Sequence, residues 1–268
     1  MVFADLHLHS SASDGSLPPK EVIRMAQTKD LQLVALTDHD TTQGIGEALA
    51  AGREFSVQVI PGIELSTEAE YQEVHILGYY IDYNDSHLQE ILTELKKARR
   101  KRIKEIIRLL QVQGFTLDWE EVRIEAGEVS SIGRPHVARV MVAKGYANSI
   151  SQAFALWLNP GMPAFVERYK LDPAEAVDII HSAGGLAFLA HPGLLAGGME
   201  RVNELLSAGI DGIEVFHSQH SQAQIDQSLA LAQERNLHIC GGSDCHGQPL
   251  KMGQVQVDTA LLKSWLKD

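Results

Sequence analysis

The chain has 268 residues, of which 44% are hydrophobic and 22% charged, and its formal net charge at pH 7 is −12. This length is sufficient for one large α/β domain or for one domain with an insertion. No segment approaches the roughly 20 apolar residues of a membrane span, and the acidic balance disfavours stable binding to duplex nucleic acid.

The cysteines and the N-terminus indicate the cellular compartment. Cys240 and Cys245 are too few for a disulfide framework. Residues 1–5 have neither the basic start nor the apolar core of a signal peptide. We therefore expect a reduced, cytoplasmic protein that does not associate with membranes.

Short apolar strands alternate with helices in the first part of the chain. The pattern predicts strands at residues 2–6, 33–36, 57–60 and 74–78, with helices at 18–29 and 44–55. The alternation stops near residue 85. From there to residue 170 the spacing of apolar residues predicts only helices: a long one, with its apolar residues at 88–110, and shorter ones at 119–126, 135–143 and 151–158. We predict residues 85–170 to be an all-helical insertion between strands four and five.

The alternation resumes in the last part of the chain. Strands are predicted at 186–189, 212–215 and 238–240, and helices at 173–183, 199–207 and 222–235. Residues 1–84 and 171–268 then form one domain with seven strands. Fully apolar strands separated by helices favour a parallel sheet covered by helices, and a barrel suits them best because the unusual residues follow the strands.

The candidate chemical groups are His, Asp and Glu residues at the strand ends. His7 and His9 point to the same side of the first strand, because side chains alternate along a strand. The other candidates follow or lie in later strands: Asp14, His39, Glu64, His75, His191, Asp244 and His246. Strand ends converge on one mouth of a barrel, and imidazole with carboxylate suits Zn, Mn or Fe. A single His-x-His pair is a weak signal, but nine such residues are poorly explained as scattered surface polar groups.

These motifs, in this order, resemble those of the PHP (polymerase and histidinol phosphatase) superfamily. The matching segments are His7-x-His9, Thr37-Asp38-His39, Pro61–Glu64, Val74-His75, Ala190–Pro192 and Gly242–His246. The resemblance implies a distorted (β/α)7 TIM-like barrel, the PHP fold, with three divalent metal ions. It assigns one ion to His7, His9, Glu64 and Asp244. It assigns a second to Glu64, His75 and His191, and a third to Asp14, His39 and His246.

The insertion narrows the resemblance to one branch of the superfamily. Gly133–Arg139, after the basic segment 96–108, is similar to the branch that includes nucleoside-3′,5′-bisphosphate phosphatases and ribonuclease AM, a 5′-to-3′ exoribonuclease. This resemblance implies a metal-dependent phosphoesterase. It would remove the 3′-phosphate of nucleoside 3′,5′-bisphosphates, or degrade short 5′-phosphorylated RNA, by a metal-bound hydroxide. Glu64, His191 and Asp244 would be catalytic. Mn²⁺ is the metal expected first, with Zn²⁺, Fe²⁺ and Mg²⁺ as alternatives.

Several further residues are candidates for substrate binding, and the insertion is predicted to act as a substrate cap. Arg134 and His136 lie at a helix N-terminus, which suits a phosphate but also a helix cap. Arg99 and Arg102 are either inward-reaching cations or part of a solvated basic face. His217 follows strand six, where it binds substrate or lies in an exposed loop. Asp38 and Asp40 flank a predicted ligand and are expected to orient imidazoles.

Two alternatives to a nucleotide phosphoesterase stay open at this point. One is a phosphatase of a small non-nucleotide monoester, similar to histidinol phosphate. The other is a regulatory module whose barrel is stabilised by metal but has no turnover. The expected partner is a nucleotide or a short RNA, and the sequence gives no information on protein partners.

Overall fold

The computed structural model describes residues 2–70, 72–127, 132–167, 171–247 and 251–267. The chain divides into two compact units. The first comprises Met1–Gln89 and Lys170–Asp268, and the second Glu90–Tyr169.

The first unit contains one mixed sheet of eight strands that curves into a nearly closed, distorted barrel. The strands lie in the order β7-β6-β5-β4-β3-β2-β1-β8. Their bounds are β1 (Phe3–Leu8), β2 (Leu33–Leu36), β3 (Gln58–Ala69), β4 (Gln72–Tyr79), β5 (Leu186–Leu189), β6 (Gly212–His217), β7 (His238–Gly242) and β8 (Val257–Asp258).

The barrel closes where β7 comes against β1. A Cβ atom at Gly242 would lie 2.4 Å from both the Cβ and the backbone nitrogen of His7, so only glycine permits this approach. Beyond that point, Leu8 forms a parallel bridge with Cys245. The contact fixes the loop after β7 beside the end of β1.

Helices of the first unit connect most of the strands. They are α1 (Pro19–Thr28), α2 (Ile45–Phe55), α7 (Pro173–Ser182), α8 (Gly198–Leu205) and α9 (Gln222–Arg235), with α3 (Ser86–Val112) beginning in this unit. Side chains such as Leu6, Tyr79 and Phe188 fill the barrel, and α1 and α2 pack outside it through residues such as Ile23 and Ala48. The core therefore fixes the strands whose ends carry the predicted ligands.

Three aspects of the sheet differ from the sequence prediction. The expectation of a parallel sheet is wrong for β4, which runs antiparallel to both β3 and β5, and for β8, which is antiparallel to β1. The third strand was predicted to end at residue 60 but continues to Ala69, because it forms a long hairpin with β4. The eighth strand was missed since two residues are too few to show an alternating pattern.

The described part of the second unit is helical. After α3 come α4 (Trp119–Ala126), α5 (Arg134–Ala143) and α6 (Ile150–Ala153), which continues as a π-helical turn at Phe154–Leu158. The helix predicted at 151–158 thus changes type within its length. This unit has its own apolar core, which includes Ile106, Leu110, Val122 and Met141. Its role as a substrate cap stays a prediction.

Among the residues that the structure describes, no helix combines the length and apolar character needed to cross a membrane.

Candidate metal centre

All nine predicted ligands belong to the first unit, and Glu64 lies at the middle of them. Its side chain is only 1% exposed. Oε2 is 3.3 Å from Nε2 of His7, 3.2 Å from Nε2 of His9 and 3.0 Å from Nδ1 of His39. Oε1 is 2.7 Å from Nδ1 of His75 and 3.3 Å from Nε2 of His191. One buried carboxylate therefore lies close to five imidazole rings.

The end of β1 supplies two of these rings. His7 and His9 are both buried, on the same side of the strand, with ring centroids 5.1 Å apart. Asp244 approaches them from the loop after β7, with Oδ1 at 3.5 Å from Nε2 of His7 and 3.2 Å from Nε2 of His9. The structure thus brings together the four residues that the resemblance assigns to one ion.

A second group lies beside Glu64 on the β4 side. Because β4 is antiparallel to its neighbours, His75 comes from the first half of its strand and not from a C-terminal end. It nevertheless reaches the same mouth, since the start of an antiparallel strand lies beside the ends of its partners. The backbone Ala190 N–H donates to the His75 carbonyl at 3.0 Å, which places His191 next to it.

A third group lies near the loop after β1. Nε2 of His246 is 3.2 Å from Oδ1 of Asp14. Ligating atoms of His9, Asp14, His39 and His246 all lie within 4.8 Å of one another. Asp14, His39 and His246 are the set that the resemblance assigns to another ion, and His9 adjoins them.

The backbone is held in an unusual conformation at two of these positions. His191 has φ of 30° and Asp244 has φ of 51°, in the left-handed region that residues other than glycine rarely adopt. Such conformations persist only where the surrounding structure imposes them, and they concentrate at functional sites.

The donor atoms fit divalent metal ions. Within the described residues, several buried polar atoms of this cluster have no hydrogen-bond partner, and leaving such atoms unpaired is costly. They are Nε2 of His7, both ring nitrogens of His9, Nδ1 of His39 and Oε2 of Glu64. Ring nitrogens and carboxylate oxygens facing one another without hydrogen bonds are the arrangement expected of ligands around cations.

The surroundings keep the Glu64 carboxylate ionised and the His39 imidazole neutral. Burial tends to raise the pKa of Glu64, but the neighbouring His39, His75 and His7 outweigh it and hold that pKa well below its usual range. Burial lowers the pKa of His39 to about 3, in spite of the carboxylates of Glu64 and Asp14. An ionised carboxylate beside a neutral imidazole is the state in which both groups bind metal.

Two buried acids near the cluster were missed by sequence reasoning. Glu214 lies in β6, where its Oε1 is 3.0 Å from Nδ1 of His7. Asp5 lies in β1 and accepts a hydrogen bond from the Ser243 N–H at 2.9 Å, and burial raises its pKa to about 6. The available signal was an acidic residue inside an apolar strand, which is unusual because an unpaired buried charge is unstable.

His217 faces the predicted ligands and is not an exposed loop residue. The pairing of β6 with β7 shifts register between Glu214 and Phe216. This β-bulge turns His217 to the side of Glu214, and its ring lies 5.6 Å from that of His191. Its Nε2 is 3.5 Å from Oδ2 of Asp244. The bulge has no signature in the sequence.

The expectation that Asp38 orients an imidazole is wrong. Asp38 accepts hydrogen bonds from the backbone N–H of Ser10 at 2.7 Å and from the hydroxyls of Ser10 and Ser13 at 2.7 and 2.6 Å. It therefore fixes the loop that carries Asp14. Asp40 accepts from the Ser66 N–H at 2.8 Å and so joins the loop after β2 to β3.

The four remaining substrate-binding candidates lie in the second unit. The guanidinium of Arg134 stacks over the Phe154 ring at 5.5 Å, and Nε of Arg102 donates to the Val166 carbonyl at 2.8 Å. Arg99 is half-buried in α3. His136 is buried, and its Nδ1 accepts from the Gly133 N–H at 3.0 Å, which is a helix cap. Their contact with substrate stays a prediction.

Known proteins share both the sequence and the fold. A Haemophilus influenzae protein named 5′-3′ exoribonuclease is 35% identical over 90% of this chain and 89% of its own length. A Chromobacterium violaceum protein named 3′,5′-nucleoside bisphosphate phosphatase is 33% identical over 92% of this chain and 88% of its own. A crystal structure from Bifidobacterium adolescentis, provisionally named a metal-dependent phosphoesterase, is 30% identical, with a TM-score of 0.89 over 97% of this chain and 94% of that one.

The family model described as the PHP domain matches residues 5–151, more than half of the chain. With relatives at this identity over nearly the whole length, the resemblance drawn from the His, Asp and Glu motifs is confirmed, and the chain belongs to the PHP-domain family.

Proposed function

We propose that this protein is a metal-dependent phosphoesterase that removes the 3′-phosphate of nucleoside 3′,5′-bisphosphates, degrades short 5′-phosphorylated RNA from its 5′ end, or does both. The observation that carries the proposal is the single carboxylate of Glu64 within 3.3 Å of five imidazoles. The names of the relatives from H. influenzae and C. violaceum support the substrate class. A cytoplasmic location stays a prediction.

The nine residues would hold three divalent ions, with Mn²⁺ expected first. Each group of donors described above would take one ion, and Glu64 would bridge two of them. Divalent ions in such a site neutralise phosphate charge and activate water at neutral pH. Glu64, His191 and Asp244 would be catalytic because they would hold the ions that bind the phosphate under attack.

His217 would bind the phosphate directly. The Gln219 N–H donates to Nδ1 of His217 at 3.2 Å. Since a backbone N–H can only donate, Nδ1 accepts and the ring hydrogen lies on Nε2. That nitrogen faces the predicted ligands, where it would donate a hydrogen bond to a phosphate oxygen. With its hydrogen on Nε2, the ring would not bind a cation through that atom.

The second unit would supply the groups that recognise the rest of the substrate. Arg134, at the start of α5, is the principal candidate for the 5′-phosphate, with Arg99, Arg102 and His136 as further candidates. A guanidinium suits this role because it is always charged and donates two parallel hydrogen bonds to phosphate.

A substrate panel tests the proposal. The protein, loaded with Mn²⁺, is offered adenosine 3′,5′-bisphosphate, AMP, a 5′-phosphorylated oligoribonucleotide, its 5′-hydroxyl counterpart and histidinol phosphate. Release of 3′-phosphate or of 5′-mononucleotides, at rates well above those with the other compounds, is expected. Preference for histidinol phosphate would favour the small-monoester alternative. Metal binding without hydrolysis of any of these compounds would favour a regulatory module.

A further inference from the structure

Glu214 is a carboxylate enclosed within the barrel, and both of its oxygens have partners. Its side chain has no solvent exposure. Oε1 lies 3.0 Å from Nδ1 of His7, and Oε2 accepts the backbone N–H of His191 at 2.7 Å. One side chain of β6 thus contacts two predicted ligands, one from β1 and one from the loop after β5.

The contact with His7 determines which ring nitrogen is available to a cation. An ionised carboxylate can only accept, so Nδ1 of His7 carries the hydrogen and Nε2 keeps its lone pair. Nε2 is the atom that lies 3.3 Å from Oε2 of Glu64 and 3.5 Å from Oδ1 of Asp244. The hydrogen bond to Glu214 therefore directs the lone pair toward the centre.

The contact with His191 fixes a strained backbone. His191 has φ of 30°, and its N–H bonds to Glu214 while its ring Nε2 lies 3.3 Å from Oε1 of Glu64. A short hydrogen bond to a carboxylate is among the stronger bonds available to a backbone N–H. It holds the chain in the conformation that turns the ring toward Glu64.

We propose that Glu214 is a positioning residue that sets the metal affinity of the centre by orienting His7 and His191 together. The inference rests on the proposed function only in that the centre binds divalent ions. A buried carboxylate is a poor choice for stability alone, because removing a charge from water is costly. Its selection is explained by the orientation that it imposes on two ligands.

The test is the variant Glu214→Gln, which keeps the shape and removes the charge. When its carbonyl accepts the His191 N–H, its amide NH₂ faces Nδ1 of His7. Nδ1 must then accept, and the hydrogen moves to Nε2, where it blocks a cation. Partners of this kind usually contribute about ten- to a hundredfold to metal affinity. The Kd for Mn²⁺, measured by competition with a chromogenic chelator, should rise by that factor, while the Tm of the metal-free protein does not fall.

Asp211, the residue directly before β6, provides a matched control. Its Oδ2 accepts the backbone N–H of Ala187 at 2.7 Å and lies 2.7 Å from Nε2 of His181. It therefore also bonds one imidazole and one backbone N–H of the β5 segment, but His181 is not a predicted ligand. Asp211→Asn should leave the Kd for Mn²⁺ within about twofold of the wild-type value, well below the factor expected of an orienting partner.

The outcomes separate this inference from the proposed function. A wild-type Kd for Mn²⁺ in Glu214→Gln overturns the positioning role and leaves the proposed function intact. The same holds if Glu214→Gln and Asp211→Asn lose affinity to a similar extent, each together with a lower Tm of the metal-free protein. Absence of Mn²⁺ binding by the wild type overturns both. If Glu214→Gln does not fold, Glu214→Asp replaces it: the reach is shorter by one methylene, so the Kd must rise while the metal-free protein stays folded, and an unchanged Kd overturns the role.

Discussion

The substitution Glu64→Gln changes the carboxylate whose two oxygens lie close to five of the predicted histidine ligands. Both oxygens of Glu64 are used: Oε2 lies 3.0–3.3 Å from three imidazoles and Oε1 lies 2.7–3.3 Å from two more. Glutamine keeps the volume but replaces one oxygen with an NH₂ group. It therefore removes one negative charge. It also places an N–H donor at a position where a metal ligand must present a lone pair.

The expected loss of kcat follows from the usual effect of removing one charged group from an active site. Removal of one preorganised electrostatic group from an active site reduces kcat by about 10²–10³, or roughly 3–4 kcal/mol. Glu64 is proposed to be such a group and is also a predicted bridge between two ions. We therefore expect kcat for release of phosphate from adenosine 3′,5′-bisphosphate to fall by at least about a hundredfold, together with a lower content of bound Mn²⁺.

The assay compares Glu64→Gln with Glu54→Gln, measuring phosphate release and, by elemental analysis, bound metal. Glu54 is an exposed residue of α2 that pairs with Lys20 at 2.8 Å, so its loss should change neither quantity. Near-normal kcat together with near-normal metal content in Glu64→Gln would refute the bridging role of this carboxylate.

Three further predictions concern substrate recognition and the barrel. Arg134→Ala should lower kcat/KM for 5′-phosphorylated substrates by about ten- to a hundredfold, because one charge-assisted contact contributes about 1.5–3 kcal/mol. Its kcat/KM for p-nitrophenyl phosphate should change little. An equal loss on both substrates would make Arg134 structural. His217→Asn should reduce kcat/KM on every phosphate substrate by a similar factor with metal content unchanged, and loss of bound Mn²⁺ would instead make His217 a ligand. Gly242→Ala should destabilise the fold by about 1–3 kcal/mol in urea unfolding, since its Cβ would lie 2.4 Å from His7; an unchanged midpoint would contradict the tight closure of β7 on β1.

Elements with strong local patterns were predicted closely from the sequence. The strands at 33–36 and 186–189 and the helices at 119–126 and 222–235 agree with the structure to the residue. These helices begin with capping boxes, Asp118 with Glu121 and Ser221 with Gln224, which are local signals. The confirmed fold class depended on such elements and on the order of the His, Asp and Glu motifs.

Features that depend on distant partners were not predictable. The extension of β3 to Ala69 and the reversal of β4 require a hairpin whose pairing is set by the fold as a whole. The bulge before Phe216 that turns His217 inward is likewise a property of pairing with β7. Glu214 did carry a signal, as an acid within an apolar strand, but its partners His7 and His191 are distant in sequence.

The most direct test of the central claim is a titration of the chelator-treated protein with Mn²⁺, in which bound metal and phosphate release from adenosine 3′,5′-bisphosphate are measured on the same samples. The metal-free protein should be inactive, and the rate should rise with bound metal to a plateau near three ions per chain, as the three donor groups around Glu64 predict. Full activity without bound metal would contradict the claim that this protein is a metal-dependent nucleotide phosphoesterase. So would a protein with three bound ions that releases neither phosphate from adenosine 3′,5′-bisphosphate nor mononucleotides from a 5′-phosphorylated oligoribonucleotide.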